Sequence, residues 1–386
     1  MRIGVDVSGL MRPGTGAETY TRHLVGALAE HASSEDRLVG FVNAFAGTPR
    51  LPVPEGLPVV NPRWPWRILR PLWDHGLWSV ERFTGPVDVF HGGDWTCPPL
   101  RRGALVATVF DLAFERYPEL YPREILAVHH KQLDQVAQRA RGAVAISAST
   151  AGDLQRRWGE RGPKVKVIHP AGDPIFAARR DVGAEAALRV RLGIPERYLL
   201  YLGTQAPRKN LPRLVRAYGR ARRRGLEAAL VLAGSEGRVG GSLLHGASAW
   251  DGPAIRSEID SNALRDHVTM AGHVARADAA HLMRGATAFV FPSLYEGFGL
   301  PVLEAMSAGV PVIASCASSL PEVGGEAVRY VDPASEESIA EAMVELEADA
   351  ALRQDLARRG AERSRGFTWA RAASETLAFY RELAGG

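Results

Sequence analysis

AFVFPSLYEGFGLPVLEAMSAGVPVIAS, residues 288–315, is an apolar strand that runs into a glycine-bearing loop, a helix and a second apolar strand. The runs Ala288–Phe291 and Val310–Ala314 have the length and composition of buried strands. Between them, Pro301 suits the first helical turn, where a missing N–H leaves nothing unsatisfied. Gly297 and Gly299 let the main chain approach a ligand closely, and the amides of Phe298, Gly299 and Leu300 lead into a helix N-terminus, which favours anions. Glu296 precedes that helix and Glu304 is expected in its first turn. Two carboxylates then flank a phosphate-binding terminus, one suited to a sugar hydroxyl and the other to ribose hydroxyls, because a carboxylate can accept from a diol through both oxygens.

Outward from this segment, short apolar runs alternate with helical patterns along the whole chain, the signature of βα units stacked into parallel sheets. One series runs through Ile3–Val7, Leu38–Val42, Val87–Phe90, Leu105–Val109, Ala143–Ile146 and Val165–Ile168. A second restarts at Tyr198–Leu202 and continues through Ala229–Ala233, Val268–Ala271, Ala288–Phe291, Val310–Ala314 and Ala327–Tyr330. The expected fold class is α/β, with two doubly wound Rossmann-like domains at about 1–175 and 190–366. The turn-rich stretch between the series places the linker, and a candidate hinge, near 171–190. FTWARAASETLAFYRELA has apolar residues at helical spacing, so a terminal helix at about 367–386 is expected to pack back on the first domain.

Composition is that of a globular chain, with 46% hydrophobic and 23% charged residues and no apolar run of membrane-spanning length. Residues 1–30 lack the pattern of a signal peptide, so a cytoplasmic location is expected. Cys97 and Cys316 have no metal-ligand spacing around them, and no disulfide framework is indicated. The net charge of +4 is arginine-rich: the lysines are Lys131, Lys164, Lys166 and Lys209 alone. This mild excess suits phosphate-bearing ligands or an anionic membrane surface; no basic, aromatic-interleaved module points to nucleic acid. The Pro- and Trp-rich stretch from Trp64 to Trp78 reads as buried loop aromatics, with a lipid-facing or acceptor-facing surface as the alternative.

Two further segments lie where a doubly wound sheet meets ligands. MRPGTGAETYTRHL puts Gly14 and Gly16 between the first strand and the first helix, and YLGTQAPRKNLPRLVRAY puts Arg208 and Lys209 between a strand and a helix. The 288–315 segment, with two glutamates eight positions apart around E-G-F-G-L-P, resembles retaining glycosyltransferase family 4, a GT-B fold whose two Rossmann-like domains face a cleft. That resemblance implies roles for Glu296 at the donor sugar, Phe298–Leu300 at sugar and phosphate, and Glu304 at the ribose. It also makes Lys209 similar to the family's diphosphate-binding lysine, Gly16 part of its glycine-rich first loop, and the backbone near Val274 a reader of the nucleobase.

There are two departures from the family pattern. Thr204 stands where members often carry an arginine, with Arg208 nearby, and Phe110 precedes Asp111 where members commonly have a histidine. Asp111 is retained among the catalytic candidates with Lys209 and Glu296. His91, His129 and His130 are the histidines that could replace the missing one, each more readily explained by packing or solvation. No D-x-D triplet occurs, so no divalent metal and no cofactor are expected, the diphosphate being neutralised by Lys209, Arg208 and the helix terminus. The resemblance implies a retaining, metal-independent transferase that moves a hexose, with mannose favoured, from a GDP- or UDP-sugar. The acceptor is a glycan, lipid-linked or small-molecule hydroxyl, and the enzyme would lie in the cytoplasm or peripherally on the inner face of the membrane. The alternatives are a phosphorylase or sugar-nucleotide synthase of the same architecture, and a sugar-nucleotide-binding scaffold without turnover.

Overall fold

Each apolar run picked out above is a strand, displaced by at most two residues at either end. The computed structural model describes residues 1–44, 53–93, 97–235 and 251–385, which divide into two compact units. Unit 1 is Met1–Leu112, Leu126–Ala171 and Thr368–Gly386; unit 2 is Ala113–Ile125 and Gly172–Phe367.

The sheet of unit 1 contains, among the described residues, β1 (Arg2–Asp6), β2 (Arg37–Phe41), β3 (Val59–Val60), β4 (Val89–Gly92), β5 (Ala104–Val109), β6 (Gly142–Ala145) and β7 (Lys164–Val167). The order is β3-β2-β1-β4-β5-β6-β7, and every pairing is parallel. Unit 2 repeats the arrangement with β8 (Tyr198–Leu202), β9 (Ala229–Ala233), β10 (Val268–Gly272), β11 (Ala288–Phe291), β12 (Val312–Ser315) and β13 (Val328–Val331). These run in the order β10-β9-β8-β11-β12-β13, again parallel throughout. Strands covered on both faces read as unbroken apolar runs, which is why β5, β9, β11 and β12 are buried along their full length. In both sheets the strand order reverses at the centre, between β1 and β4 and between β8 and β11. A doubly wound sheet presents its ligand crevice beyond the carboxyl ends of those strands.

The terminal helix Trp369–Ala384, capped by Thr368, belongs to unit 1. Its Phe379 and Leu383 lie where a Cβ on Gly142 would meet them at 2.7 and 2.5 Å, so a glycine in β6 makes room for the helix. Trp369 packs against Tyr20 and stacks on His23, and Leu377, Phe379 and Tyr380 are buried. Burial of each of these large side chains contributes roughly 1.5–3 kcal/mol. The short segment Ala113–Ile125 groups with unit 2, where the Tyr117 hydroxyl donates to the Leu294 carbonyl at 3.3 Å. Cys97 is buried and Cys316 exposed, both as free thiols. No helix among the described residues is long and apolar enough to cross a membrane.

Candidate functional site

The exits of β8 and β11, neighbours at the reversal point of the second sheet, carry Lys209 and Glu296. Beyond β8 the chain passes Gly203 and Thr204 and turns through a short 3-10 helix, Pro207–Lys209, before the helix Leu211–Arg223. Asn210 sits in the left-handed region at φ 65°, and its side-chain amide donates to the Pro292 and Pro333 carbonyls at 3.1 and 2.8 Å. That anchor fixes the turn against the exit of β11. Gly203 and Gly234 meet so closely that a Cβ on Gly234 would lie 1.7 Å from the Gly203 carbonyl oxygen, and Gly234 holds φ +141°. Thr204 is half-buried, its carbonyl accepting from the Tyr201 hydroxyl at 2.7 Å.

Lys209 Nζ lies 2.6 Å from Glu296 Oε1 and 4.7 Å from the centre of the Phe291 ring. Arg208 Nη1 reaches Glu296 Oε2 at 2.9 Å and the Tyr295 carbonyl at 3.1 Å. Lys209 and Glu296 are buried, 6% and 5% exposed, so the pair is withdrawn from bulk screening. Burial opposes ionisation of Glu296, but the Arg208 guanidinium and the Lys209 ammonium outweigh it and hold the carboxyl down at about 2. The loop carrying Glu296 is itself fastened. The Glu296 N–H donates to Ser318 Oγ at 2.8 Å, and the Ser319 hydroxyl donates to the carbonyls of Glu296 and Phe298 at 2.9 and 2.8 Å.

Gly299 caps the helix Leu300–Ser307 at φ 104°, and a Cβ there would meet Leu320 at 2.5 Å, so this position needs glycine. Pro301 is the second helical residue. Glu304 therefore falls in the second turn and not in the first as expected, because the helix already begins at Leu300, ahead of Pro301. Glu304, 3% exposed, is 2.5 Å from Arg276 Nη2, while Arg276 Nε is 3.0 Å from Asp173 Oδ2. The guanidinium also lies 5.1 Å from the Phe176 ring centre. Burial pushes the Glu304 carboxyl up to about 7; Arg276 opposes this and the Asp173 carboxylate adds to it. Arg276 opens the helix Arg276–Gly285 just past β10, so the turn bearing half-buried Val274 adjoins the Arg276 bridge.

The structure thus brings together, in unit 2, Lys209, Arg208 and Glu296, and close by in sequence Phe298, Gly299, Leu300 and Glu304. Gly14, Gly16 and Asp111 lie in unit 1. Gly14 turns at φ 78° ahead of the helix Gly16–His31, which Thr15 caps through the Glu18 N–H at 3.1 Å. Asp111 is half-buried just beyond β5, and Phe110 meets the Tyr20 ring edge to face at 5.1 Å. His91 is committed to a buried network. One ring nitrogen bonds the Tyr380 hydroxyl, and the other lies 2.7 Å from Thr108 Oγ1, which in turn meets the Tyr20 hydroxyl at 3.2 Å. Burial lowers the His91 pKa to about 4, so the ring is neutral at pH 7. His129 and His130 are half-buried on the helix Arg123–Arg139.

Sequence reasoning missed Arg276, Asp173, Ser318 and Ser319. Asp173 lies 103 residues from Arg276, and no local pattern announces their pairing. Asn210 stood in plain view beside Lys209, and only its left-handed backbone reveals its anchoring role.

Two Rossmann-like units in one chain, the second with cations and a carboxylate at its reversal point, define a GT-B type of protein. A model described as glycosyl transferases group 1 matches residues 186–363, and one described as glycosyltransferase family 4 matches 14–176. Together they account for most of the chain, which belongs to the family 4, group 1 glycosyltransferases and is an enzyme of that class. A curated relative, O-antigen chain mannosyltransferase B of Escherichia coli, is 27% identical over 82% of this chain and 79% of its own length. Several other curated relatives are matched over 58% of their length or less. Among solved structures, sucrose-phosphate synthase from Thermosynechococcus elongatus has a TM-score of 0.75 at 21% identity, with 99% of each chain covered. HepE from Anabaena, solved in complex with UDP and glucose, has a TM-score of 0.72 at 19% identity, covering 99% of this chain and 100% of its own. At these identities the structural likeness establishes the fold.

Proposed function

We propose that this glycosyltransferase moves a hexose from a nucleoside-diphosphate sugar to a hydroxyl acceptor, with retention of anomeric configuration and without a divalent metal. The observation that carries the reading is the pairing of Lys209 and Arg208 with Glu296 at the reversal point of the second sheet. A nucleoside diphosphate competes there for the two cations, and the helix N-terminus beyond Gly299 supplies amides to the same anion. As the bond from C1 of the sugar to the diphosphate breaks, its electron pair leaves with the diphosphate, where Lys209 and Arg208 stabilise the growing charge. The acceptor oxygen bonds C1 on the face just vacated and passes its proton to a phosphate oxygen of the leaving group. No dedicated protein base is then required, which accommodates Phe110. Glu296 takes a hydroxyl of the sugar, Glu304 those of the ribose, and the backbone at Val274 the base. Acceptor recognition belongs to unit 1; its first loop, with Gly14 and Gly16, serves the donor diphosphate in this reading, and Asp111 is a catalytic candidate.

Mannose is favoured as the transferred sugar by the likeness to the O-antigen mannosyltransferase, and the Anabaena protein's complex keeps UDP beside GDP as the nucleotide. A glycan, a lipid-linked sugar and a small molecule are all acceptors to be tested. Thermal-shift measurement with UDP, GDP, ADP and TDP in the presence of EDTA tests the donor reading, since a ligand bound only by the native state raises its apparent stability. One nucleotide is expected to raise the melting temperature in wild type and less so in Lys209→Ala. No shift with any of them, or shifts that need added magnesium, would overturn it.

A further inference from the structure

Four of the eight tryptophans, Trp64, Trp66, Trp73 and Trp78, lie between positions 64 and 78 in unit 1. Part of this cluster is packing. Leu69 and Trp73, one turn apart on the helix Trp66–Asp74, are buried, and Trp64 meets Trp78 edge to face at 4.9 Å. That anchors the segment to the unit. The remainder faces solvent: Trp66, Ile68 and Leu77 are 53%, 43% and 61% exposed, half of the large apolar side chains that stand out among the described residues. Arg67 and Arg70 are exposed between them. The one acid of the stretch, Asp74, is engaged by Lys131 at 2.7 Å and Gln135 at 2.8 Å. Just beyond, Glu81 accepts from the main-chain N–H groups of Arg101 and Arg102, whose side chains are also exposed.

Clustered exposed apolar side chains mark an interaction surface, and the charge around these selects the partner. Indole and aliphatic groups enter the boundary between headgroups and acyl chains, while arginine stems lie along apolar surface and keep their guanidinium groups at the phosphates. Pro65 and Pro71 bracket and interrupt the helix, so it presents a short, shallow face and not a long apolar stripe. The geometry points to a docking surface on unit 1 for an anionic phospholipid bilayer, formed by Trp66, Arg67, Ile68, Arg70 and Leu77. This surface lies in unit 1, whereas Lys209 and Glu296 lie in unit 2.

The test is flotation of the full chain with phosphatidylcholine vesicles, with and without phosphatidylglycerol. Wild type is expected to float only with the phosphatidylglycerol vesicles and to be released by high salt. The pairs Arg67→Gln/Arg70→Gln and Trp66→Ala/Leu77→Ala are each expected to weaken that partitioning by roughly tenfold or more. Neither should change the shift in melting temperature on adding UDP or GDP; Trp66→Ala gives up an edge-to-face contact with Trp73 at 5.5 Å, so its own melting temperature is compared with that of Trp66→Phe. Failure of wild type to float with anionic vesicles overturns the proposal, as does flotation of both paired variants equal to that of wild type. Concentration-dependent self-association that both pairs abolish, without vesicle binding, would assign the face to a second copy of the chain instead.

Discussion

Replacing Glu296 by Gln keeps the shape of the site and removes the charge that holds Lys209 and Arg208. The wild-type carboxyl is lowered from 4.5 to about 2, and at about 1.4 kcal/mol per unit this is roughly 3 kcal/mol of stability at neutral pH. Removing one partner of a buried ion pair costs about 3–5 kcal/mol, so the two arguments agree. For a unit of this size that is a fall of roughly 6–12 °C in melting temperature. The pH dependence has a defined sign. A depressed carboxyl stabilises fully above its unfolded value of 4.5, and the contribution is lost as pH falls through about 2. The gap between wild type and Glu296→Gln is therefore constant from neutral pH down to about 5 and narrows below that. Because the variant leaves two cations without their internal carboxylate, a nucleoside diphosphate should bind it at least as tightly as it binds wild type. Saturation at a hundred times Kd would return about 2.7 kcal/mol. Thermal scans across pH, with and without UDP or GDP, make the measurement. A variant as stable as wild type at pH 7, a gap that persists at pH 2–3, or nucleotide binding weakened tenfold would refute this reasoning.

Other outcomes follow from the same structure. Arg276→Ala removes the cation between Glu304 and Asp173 and raises the Glu304 carboxyl further; nucleotide affinity should fall, and discrimination between a ribonucleotide and its 2′,3′-dideoxy analogue should shrink, as read by calorimetry. Gly234→Ala places a methyl group against the Gly203 carbonyl at a positive φ and should prevent a stable unit 2 from forming, seen as loss of its cooperative unfolding transition. Tyr380→Phe deprives His91 of one of its two partners and should destabilise unit 1 by about 1–3 kcal/mol in urea denaturation. Since the His91 pKa is lowered to about 4, the neutral ring's contribution is full above 6.5 and is lost as pH falls from 6.5 towards 4. His91→Gln should remove that part of the acid dependence.

The fold was legible because buried parallel strands read as unbroken apolar runs. β8, β9 and β11 fall where the sequence places them, and only β3, two residues at a sheet edge, has too short a pattern to register. Glycines 203, 234 and 299 reveal backbone constraints only in three dimensions, where their neighbours come within a Cβ's reach. Glu296 and Lys209 were visible as separate motifs, but their contact spans 87 residues and depends on β8 and β11 being adjacent. Arg276 was hidden for the same reason, its partners Asp173 and Glu304 lying on either side of it in the chain. The tryptophan segment was ambiguous because composition does not say which of its side chains turn inwards: Trp73 does, and Trp66 does not.

The central claim is that Lys209 and Glu296 serve transfer from a nucleotide sugar. It is tested most directly by following nucleoside diphosphate release from UDP-, GDP-, ADP- and TDP-hexoses in EDTA, with an acceptor panel of glycans, lipid-linked sugars and small molecules. The account predicts that wild type consumes one donor class and that Lys209→Ala lowers turnover by roughly 10²–10³ while nucleotide binding changes far less. Equal turnover by Lys209→Ala, equal losses in turnover and binding, or no donor consumed with any acceptor would contradict it.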